Sequence, residues 1–510
     1  MIRLLLFFYS QKAVYSFAVW CILRAEVKTM QSLWTATAAL PEYEALNGDR
    51  RAEAAVIGAG MAGILTARLL KEAGVDVVVL EADRIGSGQT KNTTAKITSQ
   101  HGMIYHKLAE VFSAEAAAHY ASAQEKAIGE YRRIIAEYEI DCDFAECSAY
   151  LYSRKEAGPL LKEAETAKAA GIDAAFTEET ELPFPIKGAV RFGGQARFHP
   201  LKFLGGTAEG LTIYEHTPVL TVEGNRIKTG RGTVTAEHII FACHYPFINV
   251  PGYYFMRMHQ ERSYVKALEG ASLPEGMYYG IDEGGLSIRR AGNLLLLGGG
   301  SHRTGENREG GRYRWLLEQA REYWPQCRER FRWSAQDCMP LDNIPYIGQF
   351  SGDTPNWYVA TGFKKWGMTG SMAAAMMLRD AVTGRENPDA VLFSPQRFTP
   401  SASAVSFVSE GAHAVKNLTR RIFAPPRAET EELPCGHGGV VEYEGEKAGV
   451  YKEEDGTLHV VSVKCPHMGC QLEWNSDEKT WDCPCHGSRF DYRGKLLNNP
   501  AQEDLETAEQ

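Results

Sequence analysis

The 510-residue sequence contains no long run of basic residues and carries a net charge of −9, so nucleic acid is not an expected partner. It also lacks the cysteine framework of a small secreted protein, because its eleven cysteines are odd in number and spread along the chain. Beyond residue 29 no stretch of 18 consecutive apolar residues occurs, so we expect a soluble body. The remaining composition is that of a globular protein with about three domains.

The first 29 residues depart from this pattern. Residues 4–10 and 13–23 are apolar, and Gln11-Lys12 separates them. Three interpretations stay open: a mis-assigned extension ahead of a true start at Met30, a membrane anchor through residues 4–23, or a signal peptide without a small-residue cleavage site. We expect a cytoplasmic protein that begins at Met30, and membrane contact only if the anchor is real.

Residues 54–80 have the pattern of a βαβ unit. Residues 54–57 are a short apolar strand, residues 61–72 have the 3-4 apolar spacing of a helix, and residues 75–80 are an unbroken Val/Leu run typical of a buried parallel strand. Further along, residues 106–138 and 371–383 have helical patterns, and short strand-like runs dominate from 211 to 300.

The string GAGMAG at residues 58–63 joins the first strand to the helix. Gly58 permits a tight turn, Gly60 lets the backbone approach a pyrophosphate at the helix N-terminus, and Gly63 lets helix and strand pack closely. Glu81 follows the second strand, where a carboxylate would bind ribose hydroxyls. These residues predict a dinucleotide site.

A second loop, RIGSGQT at residues 84–90, favours FAD over NAD because its glycines and hydroxyls suit a longer ligand. The run 81–90 resembles the D-amino-acid-oxidase-like flavoprotein superfamily, which includes sarcosine, glycine and γ-glutamylputrescine oxidases. The resemblance returns at 340–348 (PLDNIPYIG) and at 360–369 (ATGFKKWGMT), where a helix begins. It covers about residues 45–395.

The resemblance implies FAD as a cofactor. In this family the helix that begins near residue 367 lies against the flavin pyrimidine ring, where its N-terminus can stabilise the negative charge of a reduced flavin. The resemblance also implies that the strand that begins at Val219 contacts adenine through backbone groups. The residues that the resemblance assigns to FAD are Gly58, Gly60, Gly63, Glu81, Arg84, Gly88, Thr90, Thr94, Ala95, Val219, Gly348, Gly362, Gly367, Met368 and Thr369.

The same resemblance implies that the flavin takes a hydride from a C–H beside nitrogen, while protein groups bind the substrate and adjust the protonation of the amine. Lys96 should approach the flavin ring or an anionic substrate, Arg289 could bind a carboxylate, and His302 is a candidate base. Each of the three could instead be structural or surface-exposed. Some relatives carry an oxygen-activating Lys where this chain has Ser287, which favours a dehydrogenase over an oxidase.

Two strings near the C-terminus, CPHMGC at 465–470 and CPCHGS at 483–488, pair cysteine with histidine. Two thiolates on one iron and two imidazoles on the other form a Rieske [2Fe–2S] centre. The strings resemble the Rieske family, over about residues 435–510, more closely than a zinc site. The predicted cluster ligands are Cys465, His467, Cys483 and His486.

The Rieske resemblance also implies a disulfide between Cys470 and Cys485, which braces the two cluster loops in respiratory-type relatives. A reducing cytosol disfavours such a bond if it is exposed. Ser488 can donate a hydrogen bond to a cluster sulfide, but Phe490 stands where high-potential relatives often carry Tyr. We therefore expect a reduction potential below that of the respiratory relatives.

The expected function is that of an FAD-dependent dehydrogenase that oxidises an amine or amino acid, with the cluster relaying single electrons to an unidentified redox partner. Reversed flow, from the cluster to a flavin that reduces a substrate, is a second hypothesis. A redox-sensing or electron-carrier protein without its own substrate is a third. A Rieske oxygenase is disfavoured because no 2-His-1-carboxylate iron site is evident.

The predicted fold class is α/β: a Rossmann-like FAD-binding domain with an α+β substrate domain, plus a small all-β Rieske domain. The oxidoreductase part spans residues 45–392, a connector with a helix at 404–422 spans 393–434, and the Rieske domain spans 435–510. The FAD-binding segments are about 50–100, 190–245 and 335–385, and the substrate domain is about 100–190 and 250–330.

Overall fold

The computed structural model describes residues 30–397 and 432–507, which we call the body and the C-terminal module. The alternatives for residues 1–29 and the helix predicted at 404–422 lie outside the described residues. Within the body and the C-terminal module, no helix is both long enough and apolar enough to cross a membrane.

Most helices of the body connect strands. The pattern at 106–138, which is compatible with one or two helices, forms two. The hydroxyl of Ser113 caps the second by accepting a hydrogen bond from the amide of Ala116 (3.1 Å). The helices are α1 (Leu33–Thr37), α2 (Met61–Glu72), α3 (Tyr105–Val111), α4 (Ala114–Glu137), α5 (Gly158–Ala169), α6 (Pro200–Ala208), α7 (Arg312–Tyr323), α8 (Gly367–Val382) and α9 (Ala390–Phe393).

The strands are numbered in chain order. Those of the body are β1 (Arg50–Ile57), β2 (Val77–Leu80), β3 (Lys96–Ile97), β4 (Ala145–Ser153), β5 (Ala174–Thr177), β6 (Gly188–Arg197), β7 (Thr212–Tyr214), β8 (Val219–Glu223), β9 (Arg226–Thr229), β10 (Gly232–Phe241), β11 (Met258–Glu269), β12 (Met277–Gly280), β13 (Ser287–Ala291), β14 (Leu294–Arg303), β15 (Arg328–Pro340), β16 (Tyr346–Ser351) and β17 (Thr354–Thr361). Those of the C-terminal module are β18 (Gly438–Tyr443), β19 (Glu446–Lys452), β20 (Leu458–Ser462), β21 (Glu473–Asn475), β22 (Thr480–Asp482), β23 (Arg489–Asp491) and β24 (Leu496–Asn498).

The first sheet has the order β16-β17-β10-β1-β2-β7, with the β8–β9 hairpin beside β10. Its central pairs, β1 with β2 and β1 with β10, are parallel, and β1 and β2 are apolar where they pair because both faces of the sheet are covered. The buried helices α2 and α8 pack against each other beside it. The turns after β1, β2 and β10 therefore meet at one edge, where a doubly wound sheet binds ligands.

The second sheet is mainly antiparallel and has the order β15-β11-β14-β13-β12-β4-β6-β3, with β5 beside β6. Its long strands β11 and β15 run side by side from Met258 to Glu269 and from Arg328 to Pro340. Residues of both sheets line the cavity described below, so the second sheet covers the carboxyl edge of the first.

The C-terminal module is all β, with a three-stranded sheet β18-β19-β20 and a four-stranded sheet β21-β22-β23-β24. Trp474, Trp481 and Phe490 fill its core. The two cysteine–histidine strings form the loops that follow β20 and β22.

The C-terminal module packs on the β11 and β15 side of the body. Arg262 of β11 forms a buried ion pair with Glu478 (2.6 Å), with the two side chains 1% and 7% exposed. Arg308 pairs with Glu473 (2.7 Å) farther along the same contact. Removing one partner of a buried ion pair costs about 3–5 kcal/mol, so the Arg262 pair alone favours one relative position of the two parts.

Candidate functional site

The turn after β1 forms a cradle for a phosphate group. Gly58 has a φ of +107°, and a Cβ there would lie 2.7 Å from the carbonyl oxygen of Ala242. A Cβ on Gly63 would lie 1.8 Å from the carbonyl oxygen of Gly58, so the helix and the turn touch directly. Gly60 caps α2 without a side chain, which leaves the helix N-terminus open to an anion.

Glu81 and Thr90 border this cradle. The carboxylate of Glu81 accepts hydrogen bonds from the amides of Ala59 (2.7 Å) and Asp83 (3.0 Å), and burial raises its pKa. The hydroxyl of Thr90 accepts a hydrogen bond from the amide of Met61 at the start of α2 (2.9 Å). The carboxylate is thus held at the end of β2, where it can accept bonds from ribose hydroxyls.

A cavity of about 1160 Å³ extends from the cradle and exceeds the roughly 300–1,000 Å³ that is usual for small-ligand sites. Such a volume fits an extended dinucleotide together with a small substrate. The predicted FAD residues that line it are Gly58, Gly60, Glu81, Gly88, Thr90, Thr94, Val219, Gly367 and Met368. Those that do not line it are Gly63, Arg84, Ala95, Gly348, Gly362 and Thr369.

Two of the predicted FAD residues outside the lining, Arg84 and Thr369, bond to other parts of the protein. Arg84 forms ion pairs with Glu42 (3.1 Å) and Glu215 (3.6 Å). The hydroxyl of Thr369 donates to the carbonyl of Thr98 (2.8 Å), which ties α8 to the segment after β3. Their contacts are therefore with the protein itself.

Lys96 lines the cavity and is buried. Its Nζ donates to the hydroxyl of Ser287 (2.5 Å) and to the carbonyl of Tyr278 (3.1 Å). Burial, helped by the nearby charge of Arg289, lowers the pKa of Lys96 to about 7. A large part of the lysine is therefore neutral near pH 7 and can accept a proton.

Arg289 lies on the same strand face as Ser287 but two residues farther along, beyond the cavity. Its guanidinium donates to the carbonyls of Ala95 (2.9 Å) and Phe198 (3.4 Å) and stacks over Trp34 at 5.3 Å. These contacts engage its two terminal nitrogens, while its Nε is buried without a hydrogen-bond partner among the described residues.

His302 also lies outside the cavity lining. Because side chains alternate along a strand, Ser301 faces the cavity and His302 faces away. Its ring bonds the hydroxyl of Tyr264 (3.0 Å) and the carbonyl of Arg303 (2.7 Å). Of the three catalytic candidates, the structure brings Lys96 alone to the cavity.

Two further lysines, Lys364 and Lys365, line the cavity next to the start of α8, although no sequence motif predicted a role for either. Lys365 forms ion pairs with Asp337 and Glu261, both at 3.3 Å; burial alone would lower its pKa, but the two carboxylates outweigh burial and raise it. Burial, with the charges of Lys107 and Lys365, lowers the pKa of Lys364 to about 8. Among the described residues, no carboxylate lies within ion-pair distance of the Lys364 amine.

The predicted cluster ligands converge in the C-terminal module. The imidazole rings of His467 and His486 lie 4.8 Å apart at an interplanar angle of 88°. The Nδ1 atoms of both are buried and have no hydrogen-bond partner within residues 30–397 and 432–507. The sulfur atoms of Cys465 and Cys483 are within hydrogen-bonding distance of each other. Two orphaned nitrogens on neighbouring rings and two neighbouring thiols fit the donor set of a Rieske cluster.

Burial keeps both imidazoles neutral, which is the form that binds a metal. It lowers the pKa of His467 to about 4 and, together with the charges of His467 and Arg303, that of His486 to about 3.

Cys470 and Cys485 form a disulfide, as the family resemblance implied. Their sulfur atoms and that of Cys483 lie within 4.8 Å of one another. The two bonded cysteines have no thiolate to offer, so this cluster of sulfurs is not itself a metal site. The disulfide joins the two cluster loops.

Groups around the cluster loops come from both parts of the protein. The Nε2 atom of His467 bonds the side-chain oxygen of Asn249 in the body (2.8 Å), and the ring of Phe255 packs edge-on against both ligand imidazoles. Ser488 lies within hydrogen-bonding distance of the Cys465 sulfur, and its hydroxyl accepts from the amide of Ala501 (3.0 Å).

The C-terminal module also forms part of the cavity wall. Residues 495–499 and 501–503 line the same cavity as the cradle after β1. The side-chain amide of Asn499 donates to the carbonyl of Cys243 (3.1 Å), which lines the cavity after β10. The two predicted cofactor sites therefore share a wall.

Two family models match the chain: FAD dependent oxidoreductase over residues 53–381 and Rieske [2Fe-2S] domain over residues 425–509. These matches confirm the predicted fold class and both predicted cofactors, FAD and a [2Fe–2S] cluster.

Relatives with similar sequences agree with these assignments. YhfW of Bacillus subtilis (strain 168), a protein named for a Rieske 2Fe-2S iron-sulfur centre, is 36% identical over 492 residues, which cover 93% of this chain and 97% of YhfW. The gamma-glutamylputrescine oxidoreductase of Escherichia coli (strain K12) is 25% identical over 215 residues, 39% of this chain and 50% of that protein. Glycine oxidase from Geobacillus kaustophilus shares the fold with a TM-score of 0.59 and 19% identity, over 68% of this chain and 99% of that one.

Proposed function

Because the chain belongs to the FAD dependent oxidoreductase family and carries a Rieske [2Fe-2S] domain, we propose that it is a dehydrogenase for an amine or amino acid that delivers single electrons to a redox partner. The observation that carries this proposal is the shared wall, in which residues 495–503 of the Rieske domain close the cavity lined by the FAD cradle. An electron leaving the cavity has the cluster domain as its immediate neighbour.

FAD, when bound, accepts a hydride from the substrate carbon, and the cluster, when bound, carries one electron at a time. Because a hydride would bring two electrons and the cluster would carry one, the redox partner would have to accept electrons one at a time. The cavity residues bind the substrate, exclude water and move its proton.

Lys96 is the proposed proton acceptor. A C–H bond beside nitrogen gives up a hydride readily only when the nitrogen is uncharged, and most free amines are protonated at pH 7. The partly neutral Lys96 can take that proton, and Ser287 holds its Nζ in place.

Lys364 is the proposed carboxylate anchor. Its amine lines the cavity without a carboxylate partner at ion-pair distance among the described residues, whereas the neighbouring Lys365 is already paired with Asp337 and Glu261. A half-buried cation of this kind favours a substrate that brings its own negative charge. An amino acid therefore fits the site better than a simple amine.

An anaerobic titration tests the proposal. A panel of amino acids and their decarboxylated amines is added to the purified protein while flavin absorbance is followed, and turnover with a one-electron acceptor is compared with oxygen consumption. We expect bleaching by a subset of amino acids and faster turnover with the one-electron acceptor than with oxygen. Bleaching by a reduced one-electron donor alone would show that electrons flow in the opposite direction.

A further inference from the structure

The cluster loop at residues 483–488 is held by side chains of the body. Arg303 donates to the carbonyls of Pro484 (3.0 Å) and Cys485 (3.3 Å). The side-chain amide of Gln260 donates to the carbonyl of His486 (2.7 Å), and that of Gln336 donates to the carbonyl of Gly487 (2.7 Å). Four consecutive carbonyls around the ligand His486 are thus bonded to the oxidoreductase.

The contact is close as well as polar. Gly487 has a φ of +86°, and a Cβ there would lie 2.6 Å from the Cβ of Gln260. A Cβ on Gly305 of the body would lie 2.7 Å from the backbone nitrogen of Pro484. At Gly487 and Gly305 the body and the C-terminal module therefore pack so closely that no side chain would fit between them.

The other cluster loop, at residues 464–469, faces outward. Lys464, Pro466 and Met468 are exposed, and the Met468 side chain is 45% exposed, while the whole of 483–488 is buried. The cluster therefore has an inner side at His486 and an outer side at His467.

The two glutamines connect the inner side to the cavity. Gln336 lines the cavity, and its Nε2 donates both to Gly487 and to the Oε1 of Gln260 (2.7 Å). The guanidinium of Arg262 donates to the Oε1 of Gln336 (3.2 Å), which fixes the orientation of the amide because a guanidinium only donates. We call Gln260 and Gln336 the amide bridge.

We infer that the amide bridge is the electron-transfer contact between the cavity and the cluster, and that electrons enter the cluster on its His486 side. The inference rests on the proposed relay from FAD to the cluster. For each electron that passes, one iron changes from ferric to ferrous, and an external one-electron acceptor reoxidises it before the second electron of the hydride follows. Gln260 and Gln336 act as positioning residues and touch no reacting atom.

The test is photoreduction of the holoprotein, which needs no substrate. Light absorbed by the protein's own flavin, with EDTA as the sacrificial donor and no diffusing mediator, reduces the flavin in a flash, and the arrival of the electron at the cluster is followed by absorbance and by EPR. The double variant Gln260→Leu/Gln336→Leu should slow this transfer severalfold, because it removes the amide hydrogen bonds that hold the carbonyls of His486 and Gly487 against the body. The single variant Gln336→Met, which leaves the bond from Gln260 to His486, should give a smaller slowing.

Arg308→Gln is the matched control, because Arg308 joins the same two parts through Glu473 but does not contact the loop at 483–488. We expect it to transfer at the wild-type rate. Asn249→Leu removes the bond to His467 on the outer side, and we expect it to change the cluster potential while leaving the transfer rate, corrected for driving force, unchanged.

The outcomes separate the inference from the proposed function. If the wild-type cluster is never reduced after the flash, the relay itself is wrong. If wild type and the double variant transfer equally fast, both with intact flavin absorbance and cluster EPR signals, the amide bridge is wrong and the relay stands. Slowing by Asn249→Leu instead of by the glutamine variants would place entry on the His467 side.

Discussion

The cavity and the cluster site differ in the chemistry of their walls. The cavity is lined by ionisable groups, among them Lys96, Lys364 and the Lys365–Asp337 pair. The cluster site has two neutral imidazoles, a disulfide, and backbone carbonyls capped by two amides and one arginine. The first set of groups can take up and release protons, and the second holds its geometry while an electron passes.

The two sites also differ in how the chain assembles them. The four cluster ligands lie between residues 465 and 486, on two loops joined by one disulfide. The cavity collects residues from 57 to 503, from two sheets and from the C-terminal module. Damage to one cluster loop should therefore remove the cluster as a unit, while single changes in the cavity should each remove one function.

The largest effect should come from Cys483→Ser, which deletes one thiolate ligand. We expect loss of the Rieske EPR signal and of electron delivery to a one-electron acceptor, while substrate still bleaches the flavin because the cavity groups are untouched. EPR spectroscopy measures the cluster, and an anaerobic flavin titration measures reduction of the flavin by substrate.

Cys435→Ser is the matched control for this variant. Cys435 and His437 imitate a ligand pair in sequence, but Cys435 is exposed and unbonded, and the His437 ring bonds the Cys435 carbonyl. The control should keep a full EPR signal. Loss of flavin bleaching in Cys483→Ser would contradict the separation of the two sites.

Cys470→Ser should destabilise the C-terminal module by about 3 kcal/mol, the amount expected for a disulfide that closes a loop of this length. The two cysteines are 15 residues apart. Hydrogen–deuterium exchange of the C-terminal module, followed over a denaturant series, measures the change because the chain's nine tryptophans are not confined to that module and their fluorescence would not separate the two parts. Adding a reductant should lower the free energy of unfolding of the wild type to that of the variant. If the two proteins are equally stable without reductant, the disulfide is absent in solution.

This difference in assembly also explains which residues the sequence could predict. The cluster ligands and the glycines of the cradle lie in short strings, where local spacing alone specifies the chemistry. The fold class followed from the βαβ pattern at 54–80, because an apolar period and a glycine turn are local features.

Residues brought in from distant strands left no such signal. Gln260 and Gln336 lie on neighbouring strands, 76 positions apart, and their role depends on a loop more than 140 residues farther along. Arg289 and His302 have suitable chemistry but do not line the cavity. Arg289 lies beyond the end of the cavity on its strand, and His302 is on the strand face that points away from it. Only the pairing of β11 with β15 and the docking of the C-terminal module decide which polar side chains meet.

In the cavity, Lys364→Met should weaken binding of an amino acid by about tenfold or more, because a charge-assisted hydrogen bond is worth about 1.5–3 kcal/mol. The decarboxylated amine of the same substrate is the matched control and should bind the variant as well as the wild type. The dependence of the flavin bleaching rate on substrate concentration measures both. Equal weakening for acid and amine would show that Lys364 does not contact the carboxylate.

The smallest and most specific effect concerns the pH dependence set by Lys96. Its pKa is lowered to about 7, so the neutral, proton-accepting form grows as pH rises through 7 and dominates above it. At saturating substrate, the rate of flavin bleaching should rise about tenfold per pH unit below this pKa and level off above it. Lys96→Met should abolish this rise of the bleaching rate near pH 7. Only the pH dependence that comes from ionisation of the bound amine at higher pH should remain.

Ser287→Ala distinguishes a proton acceptor from a lysine that merely fills space. This variant keeps the amine but removes the hydroxyl that accepts its hydrogen bond, and that bond stabilises the charged form more than the neutral one. The rise of the bleaching rate with pH should therefore persist but occur at lower pH. If Lys96→Met instead kept the wild-type dependence of the bleaching rate on pH, another group would accept the substrate proton. The difference between a cavity that exchanges protons and a cluster site that passes electrons would then depend on Lys364, Lys365 and Asp337 rather than on Lys96.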